Sequence, residues 1–488
     1  MELTGVRAAP SLALAVFLLA GASCVAASYN YVSADYALRN SKPSSASPEI
    51  LARLRDEWFV PQLEGPADNR LLHETYINGC GTKGSWKVSG RQAEVDTLFK
   101  EVSKESLQRY QPLRILGHGT QGVVILAKDM LQHRLVAIKQ AGPQTTAKEV
   151  RILQAVQGSV DIMKLHDVLM PKHLDTKLSS AFIVLERLVL PLFEMHLMWG
   201  HSVIHTVPSK TLKHVLFNIV RGVHYLHTNG IAHLDLKPDN VMISEGCEPR
   251  IVDLGISKAL YGPDGEELHT AATSLKHGSR APEYAMRSWE KLRSLQLGPD
   301  MAKASDLWSL GVVLLTALNG GDVIAHYKAA ADLKHSSDLD VFAYMLGRPS
   351  EKTLGKYYGR DAAKRLLPLS KSPHMSLEEA FPRCDRDALK MVERLLRMDP
   401  SARASTRDIL LDPYFADIRS SKHHKDWMAE NLVPNPRVLE LIHSKAALVK
   451  SSQDNAKKTI VELALAYSPA AEAAWMRLNR TGSVNGAL

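Results

Sequence analysis

Cysteine is scarce in this chain, which has only four in 488 residues. Outside the first 27 residues three remain, Cys80, Cys247 and Cys384, and no two of them are closely spaced. Small domains held together by disulfides, and structural zinc sites, both need several cysteines at short spacings. The sequence therefore excludes a disulfide framework and a zinc site, and leaves open a single bridge.

Long runs of one charge are also missing. The chain has 60 Lys and Arg against 52 Asp and Glu, a formal net charge of +8, and its basic residues are dispersed. Proteins that bind nucleic acids usually concentrate basic residues on one face or carry a recognisable motif. We interpret the dispersed charges as solvated surface and expect no nucleic-acid partner.

Long apolar segments are limited to one, at the N-terminus. Arg7 precedes the apolar run 11–20 (SLALAVFLLA), and small residues continue to Ser28. This layout is typical of a secretory signal peptide, and a membrane anchor would need about 20 apolar residues. We expect cleavage near Ala27, no transmembrane anchor, and a soluble mature protein that enters the secretory pathway.

Side chains that could take part in catalysis are concentrated at 233–240 (HLDLKPDN). This segment follows a predicted amphipathic helix at 211–228. Phosphoryl transfer requires a carboxylate that orients the attacking hydroxyl, a lysine that meets the moving phosphoryl group, and an Asn and an Asp that hold Mg²⁺. Asp235, Lys237, Asn240 and the later Asp253 supply these groups in that order. We therefore interpret this stretch as a catalytic loop.

A glycine pattern lies upstream, between two strand-like runs. Residues 116–124 (LGHGTQGVV) place Gly117, Gly119 and Gly122 at the spacing of a phosphate-binding loop, and a later strand-like run ends in Lys139. Glycine lets a backbone approach phosphates closely, because no Cβ intervenes. Alone the pattern equally describes a hairpin turn. The lysine that follows favours the phosphate loop.

Taken together, these motifs resemble the eukaryotic-type protein kinase superfamily over residues 113 to roughly 418. The catalytic loop reads His-Leu-Asp where that family has His-Arg-Asp, and the metal motif at 253–255 reads Asp-Leu-Gly for Asp-Phe-Gly. The resemblance implies an α+β, bilobal protein-kinase fold with a small β-rich N-lobe and a large helical C-lobe. The implied organisation is a signal peptide (1–27), an N-terminal extension (28–110), a kinase domain (111–418) and a helical C-terminal extension (419–488).

The resemblance also implies ATP and Mg²⁺ as cofactors and protein hydroxyls as substrates. Asp235 would be the catalytic base beside Lys237, and Glu149 would hold Lys139 in place. Asn240 and Asp253 would bind the metal. Only ten positions separate Lys139 from Glu149, fewer than is usual in the family, and an ordinary surface glutamate is the alternative.

For the nucleotide, the resemblance makes Leu185 the gatekeeper and Glu186 to Leu188 the hinge that grips adenine. Plain core packing is compatible with the apolar members of this set. The implied nucleotide-binding residues are Gly117, Gly119, Gly122, Val124, Ala137, Lys139, Leu185, Glu186, Leu188 and Met242.

The pair Lys237-Pro238 is similar to the sequence that serine/threonine kinases have at this position, so we expect Ser or Thr acceptors.

The activation segment between Asp253 and Glu283 offers five hydroxyls. Leu234 replaces an arginine that pairs with activation-segment phosphate in relatives, and leucine cannot make that contact. We expect activity without dependence on this phosphorylation. The rival interpretation is a secreted pseudokinase that binds nucleotide as a scaffold. The hydroxyls are those of Tyr261, Thr270, Thr273, Ser274 and Ser279.

Two further expectations concern support of the site. By resemblance, Glu283 and Arg403 form the buried ion pair of the large lobe, and Asp306 braces the backbone of the catalytic loop.

Periodic apolar residues predict helices at 94–110, near 146 onward, at 438–449 and at 459–467. The segment 346–351 (LGRPSE) is similar to the cyclin-dependent and mitogen-activated kinase branch. A signal peptide before a kinase domain resembles the exported kinases of apicomplexan parasites, including rhoptry kinases, which favours a secretory organelle or vacuole lumen.

Overall fold

The structure, a computed structural model, describes residues 97–119, 122–172, 178–192, 209–271, 280–284, 295–443 and 453–467, apart from 245, 247, 263, 334, 421 and 432, together with 95 and 476. They all belong to one compact unit that spans Val60–Leu488. The predicted signal peptide, most of the predicted N-terminal extension, and Cys80 and Cys247 lie outside the described residues. Cys384 is half-buried and is not in a disulfide.

The first part of the unit is an antiparallel five-stranded sheet with the strand order β1-β2-β3-β5-β4. Strand β3 lies at its centre, paired with β2 on one side and β5 on the other, so that Lys139 faces Val124 and Ile183 across the two ladders. The strands are β1 (Tyr110–Gly119), β2 (Gly122–Asp129), β3 (Arg134–Ala141), β4 (Leu165–Val168) and β5 (Ala181–Glu186).

The two faces of this sheet belong to two different hydrophobic clusters. Successive residues of a strand point to opposite faces, so Ile138 and Val184 lie in one cluster and Ala137 and Leu185 in the other. The N-terminal segment covers the first face, where the rings of Phe99 and Phe182 stack with centroids 5.1 Å apart. The second face is the one that borders the candidate site.

Helix α2 (Pro143–Ala155) packs on the sheet, and a helical region follows in the chain. Helix α2 follows β3 directly, and α1 (Lys104–Arg109) precedes β1. The helices of the helical region are α3 (Ser209–Thr228), α4 (Pro299–Asn319), α5 (Val323–Ala330), α6 (Asp338–Leu346), α7 (Glu351–Tyr357), α8 (Arg360–Leu366), α9 (Leu377–Ala380), α10 (Arg386–Leu395), α11 (Thr406–Leu410) and α12 (Ala416–Arg419).

Short strand pairs in the helical region carry the loops of the site. Strands β6, β8 and β9 form one small sheet, β7 pairs with β10, and β11 pairs with β12. The bounds are β6 (Leu190–Pro191), β7 (Ile231–Ala232), β8 (Val241–Ile243), β9 (Pro249–Ile251), β10 (Lys258–Ala259), β11 (Thr270–Ala271) and β12 (Gln296–Leu297). A β-sheet region followed by a helical region is the predicted α+β arrangement.

Three helices end the described chain: α13 (Lys422–Asn431), α14 (Pro436–His443) and α15 (Gln453–Tyr467). Helix α15 begins six residues before the predicted 459. Helix α14 covers the first half of the predicted helix 438–449, and 444–449 lie outside the described residues. Both helices pack against α2, and α15 also packs against β4.

Two other helix predictions were wrong at their boundaries. The predicted helix at 94–110 is interrupted: Thr97 and Leu98 are helical and lead into a 3-10 turn (Phe99–Glu101), and α1 starts after a break at 102–103. The Ser103 side chain accepts the backbone N–H of Ser106 and so starts the new helix. Helix α2 begins at Pro143 rather than near 146. Proline favours the first helical position, since its missing N–H would have no partner there.

Helix α4 is long and apolar, with 21 residues. Within the described part of the chain, it is the one helix whose length and composition would allow it to cross a membrane. In this protein 83% of its most apolar stretch is buried inside the fold. Trp308, at its centre, is fully buried and packs edge-on against Phe342 at 4.7 Å, so α4 is the central helix of the large core.

Candidate active site

The glycine-rich segment forms the end of the β1–β2 hairpin. Gly117 pairs with Val124 and Gly119 with Gly122 across the two strands, and residues 120 and 121 lie outside the described part. Gly122 has φ +147°, and a Cβ there would lie 1.8 Å from the carbonyl oxygen of Gln140. No other residue fits at Gly122, because the backbone of β3 occupies the space of a side chain.

Lys139 connects the sheet, helix α2 and the loop after β9. Its Nζ lies 2.8 Å from both carboxylate oxygens of Glu149 and 2.8 Å from Oδ1 of Asp253. Lys139 is 7% exposed and Glu149 fully buried. Glu149 is therefore not an ordinary surface glutamate, and the short spacing arises because Gly142 is the only residue between β3 and α2.

The charges of this trio depend on one another. Burial would lower the pKa of Lys139, but Glu149 and Asp253 outweigh burial and raise it. Burial would raise the pKa of Asp253, but Lys139 lowers it. Burial raises the pKa of Glu149 and Lys139 opposes that effect. The two carboxylates thus favour the charged form of the lysine between them.

Asp235 lies in the loop between β7 and β8 and is 5% exposed. Its Oδ2 accepts hydrogen bonds from Lys237 Nζ at 3.1 Å and from Asn240 Nδ2 at 3.0 Å. Asn240 also donates to the backbone oxygen of Asp235 at 2.7 Å, so the loop closes on itself. The structure thus brings two other predicted residues, Lys237 and Asn240, to the carboxylate of Asp235.

A buried carboxylate from helix α4 supports this loop from below. Asp306 accepts the backbone N–H groups of His233 at 2.7 Å and Leu234 at 2.8 Å, and His227 Nε2 at 3.0 Å. These bonds hold Leu234 at φ +65°, a left-handed conformation that leucine rarely adopts. The brace predicted for Asp306 is present as a set of hydrogen bonds.

His233 links the two halves of the site. Its Nε2 lies 3.0 Å from the backbone oxygen of Val252, and its Nδ1 accepts the N–H of Asp235 at 3.2 Å. Val252 immediately precedes Asp253, which has φ +61°. One imidazole therefore fixes the distance between the catalytic loop and the second carboxylate.

The apolar members of the predicted nucleotide-binding set lie together at the second face of the sheet. Leu185 and Leu188 are buried in one hydrophobic cluster with Ala137, and Val124 and Met242 pack against it half-buried. The Glu186 side chain does not join this cluster: its Oε1 accepts the backbone N–H of Lys164 at 2.7 Å. Any hinge contact made by Glu186 would therefore come from its backbone.

The donor set fits a divalent cation bound together with phosphates. Asp253 keeps its Oδ2 beyond the bond to Lys139, and Asn240 uses its amide nitrogen toward Asp235, which leaves its oxygen for a ligand. Mg²⁺ prefers one or two protein oxygens and completes its shell with phosphates and water. Within the described residues no cluster of three or more His, Cys, Asp or Glu side chains could by itself hold a metal ion.

Comparison with known proteins agrees with this geometry. A family model described as the protein kinase domain matches residues 110–415. The chain belongs to the protein kinase family. Its bilobal α+β fold is that of the kinase domain, as the sequence predicted.

Plant mitogen-activated protein kinases are among the relatives of this kinase domain. The chain is 26% identical over 372 residues to mitogen-activated protein kinase 17 of Oryza sativa subsp. japonica, covering 74% of this chain and 58% of the relative. It is 27% identical over 372 residues to mitogen-activated protein kinase 8 of Arabidopsis thaliana, covering 74% and 57%. The chain thus spans less than two thirds of the length of these curated relatives.

The activation segment of the kinase domain is described in part. Tyr261 bridges to Glu267, and Thr270 begins β11; Thr273, Ser274 and Ser279 lie outside the described residues. Glu283 ends the activation segment, and both of its carboxylate oxygens accept hydrogen bonds from Arg403, at 2.9 and 2.7 Å. Both side chains are fully buried, so the predicted ion pair exists in the large lobe.

Sequence reasoning missed one pair that positions the metal motif. Arg221 donates to both oxygens of Asp161 at 2.6 Å, with both side chains buried. The Asp161 carbonyl accepts the N–H of Ile251 at 2.8 Å, two residues before Asp253. Because these residues are distant in sequence, only the folded chain brings them together.

Proposed function

We propose that this chain is a serine/threonine protein kinase that transfers the γ-phosphoryl group of ATP to hydroxyls of protein substrates with the help of Mg²⁺. The observation that carries the proposal is the position of Lys139, whose Nζ lies 2.8 Å from Glu149 and from Asp253. A lysine held between these carboxylates is fixed where nucleotide phosphates and their metal would meet. A site without this order would have to assemble before each transfer.

The residues of the loop have separate tasks in this reaction. Asp235 orients the acceptor hydroxyl and takes up its proton, and Lys237, at 3.1 Å, offers positive charge to the phosphoryl group in transit. Asn240 and Asp253 would hold Mg²⁺, which neutralises phosphate charge when bound. Glu149 fixes Lys139 against the phosphates. Most of the catalysis is then positioning and charge neutralisation.

The choice of Ser and Thr as acceptors comes from the pair Lys237-Pro238. Proline starts the 3-10 turn Pro238–Asn240, which turns the chain from the base toward the metal ligand. Lys237 stays within hydrogen-bonding distance of Asp235, so base and cation act on one acceptor oxygen. A lysine two residues after the catalytic aspartate is a feature that this chain shares with kinases that modify Ser or Thr.

The test is transfer of labelled γ-phosphate by the purified chain to a generic basic or acidic protein substrate. We expect transfer by the unchanged chain, and a loss of at least 100-fold in Asp235→Asn, which removes the base. Asp361→Asn, an exposed aspartate in α8, is the matched control and should retain full activity. Nucleotide binding without transfer would indicate a nucleotide-binding scaffold, and equal transfer by Asp235→Asn would mean that the observed transfer does not come from this site.

We further propose that transfer does not depend on phosphorylation of the activation segment. Leu234 is 5% exposed and lies in the large core, so the position that binds phosphate in relatives offers an apolar side chain. The backbone of the catalytic loop is instead held by the carboxylate of Asp306. Replacing Thr270, Thr273 and Ser274 together by Ala should leave most activity, and near-complete loss would contradict this.

Secretion is a separate proposal that rests on the signal-like segment at 1–27. We place the kinase in the secretory pathway or in a secretory organelle or vacuole lumen. Residues 1–30 fused to a reporter should carry the reporter out of the cytosol. A reporter that stays in the cytosol would remove this proposal and leave the kinase activity untouched.

A further inference from the structure

The described chain does not end with the kinase domain, and its last three helices follow a defined path over it. Helix α13 packs on α3, the helix that leads into the catalytic loop. The Trp427 ring lies 5.4 Å from the guanidinium of Arg221 and 6.1 Å from the His224 ring, and His424 lies 4.9 Å from Phe217. These contacts anchor the tail to the large lobe.

The tail then passes the end of α3. The backbone N–H of Asn435 donates to Oδ1 of Asn229 at 2.8 Å, and Asn229 Nδ2 donates to the carbonyl of Tyr225 at 2.8 Å. Asn229 is 2% exposed and stands four residues before His233. The tail is therefore fixed to the start of the catalytic loop before it reaches the small lobe.

Helices α14 and α15 complete the path by packing on α2, the helix that carries Glu149. Their buried apolar side chains share one hydrophobic cluster with Val150 and Leu153 of α2 and with Leu254 of the metal motif. Glu462 of α15 also attracts Arg151 of α2. The buried tail residues are Val438, Ile442, Ile460, Val461, Leu463 and Ala464.

Helix α2 needs such support for physical reasons. It has 13 residues, and Gly142 gives it no side-chain cap. Its Glu149 is fully buried, where burial raises the carboxyl pKa and so disfavours the charged form. The bond to Lys139 offsets this only while α2 stays close to the sheet. An outward movement of α2 would break the pair, and the apolar side chains of the tail oppose that movement.

We propose that α14 and α15 hold α2 against the sheet, so that Ile460, Val461 and Ala464 are positioning residues for Glu149. The inference rests on the proposed kinase activity. It assigns to the tail of the same chain the ordering that Leu234 cannot receive from a phosphate. The position of α2 would then be set in part by the C-terminal segment of the same chain.

Two of the alanines of α15, Ala464 and Ala466, offer a matched test. Ala464 is fully buried and Ala466 exposed, so the same substitution to Asp differs only in burial. Ala464→Asp should reduce kcat at least tenfold and change KM for ATP less than threefold, because Glu149 acts on the position of Lys139 rather than on the adenine pocket. Ala466→Asp should match the unchanged chain. Equal kcat in both variants would overturn the proposal.

A double-mutant cycle separates positioning from general stability. In a Glu149→Gln background, Ala464→Asp should cause no further loss of kcat, because both changes break the same link. Losses that multiply would overturn the proposal. If Ala464→Asp does not fold, Ile460→Ala in the same cycle decides it. An unchanged chain without transfer would instead refute the proposed function, so the two failures are distinguishable.

Discussion

Asp306→Asn is the substitution that most directly tests how the fold supports the site. Oδ2 of Asp306 accepts two hydrogen bonds, from His233 N–H and His227 Nε2, and Oδ1 accepts a third from Leu234 N–H. Asparagine has the same shape but offers one oxygen and one NH₂ group. At least one of the three donors would therefore face another donor instead of an acceptor.

The expected loss follows from these bonds. A hydrogen bond to a charged group contributes about 1.5–3 kcal/mol, and the two bonds that asparagine can keep become weaker neutral ones. We expect the free energy of unfolding to fall by about 3 kcal/mol. Leu234 would then be free to leave φ +65°, and Asp235 would move with it. A displacement of about 1 Å in a catalytic group can cost about 100-fold in rate, which is the fall in kcat that we expect.

Urea unfolding with linear extrapolation measures the first quantity, and phosphate transfer under conditions where the protein is folded measures the second. Asp300→Asn is the matched control, because it makes the same change at an exposed position in the first turn of the same helix. It should cost less than about 1 kcal/mol. A loss below 1 kcal/mol in Asp306→Asn, with kcat unchanged, would refute the role of this carboxylate.

Other predictions concern stability, measured by the same unfolding assay. Gly122→Ala should cost more than about 1 kcal/mol, whereas Gly117→Ala, with nothing within 4 Å of its Cβ, should cost far less. Glu283→Gln should cost about 3–5 kcal/mol, since it leaves a buried arginine unpaired, and Asp417→Asn, in an exposed pair, below about 1 kcal/mol. Burial lowers the pKa of His224 from 6.5 to about 4, so only the unfolded chain binds its proton in that range. The free energy of unfolding should therefore fall by up to about 3 kcal/mol as the pH is lowered from 6.5 to 4. His224→Gln should make this dependence on pH weaker, and an equal dependence in the variant and the unchanged chain would contradict the prediction.

The site was largely predictable because its chemistry is local in sequence. Asp235, Lys237 and Asn240 stand within six residues, and their mutual hydrogen bonds need only one turn of chain. The link from Lys139 to Glu149 came from resemblance, and the structure shows why so short a spacing suffices. Contacts between distant segments, such as Asp306 with the loop, were expected only where the family supplied them.

The remainder depended on tertiary contacts that apolar periodicity does not specify. The pattern at 459–467 predicted a helix, but a hydrophobic face does not say what covers it. The structure places that face on α2. Boundaries failed where capping decides them, as at Ser103 and Pro143, although both residue types are recognised starting signals.

The order of segments along the chain has a consequence for synthesis. Helix α15 ends at Tyr467, 52 residues after Phe415, where the match to the kinase family ends. Ribosomes add about 5–20 residues per second, so this helix is completed roughly 3–10 seconds after the last residue of the kinase domain. During that interval the apolar side of α2 has no cover. If α15 holds α2 in place as proposed, the nascent kinase would stay inactive until this helix has been made.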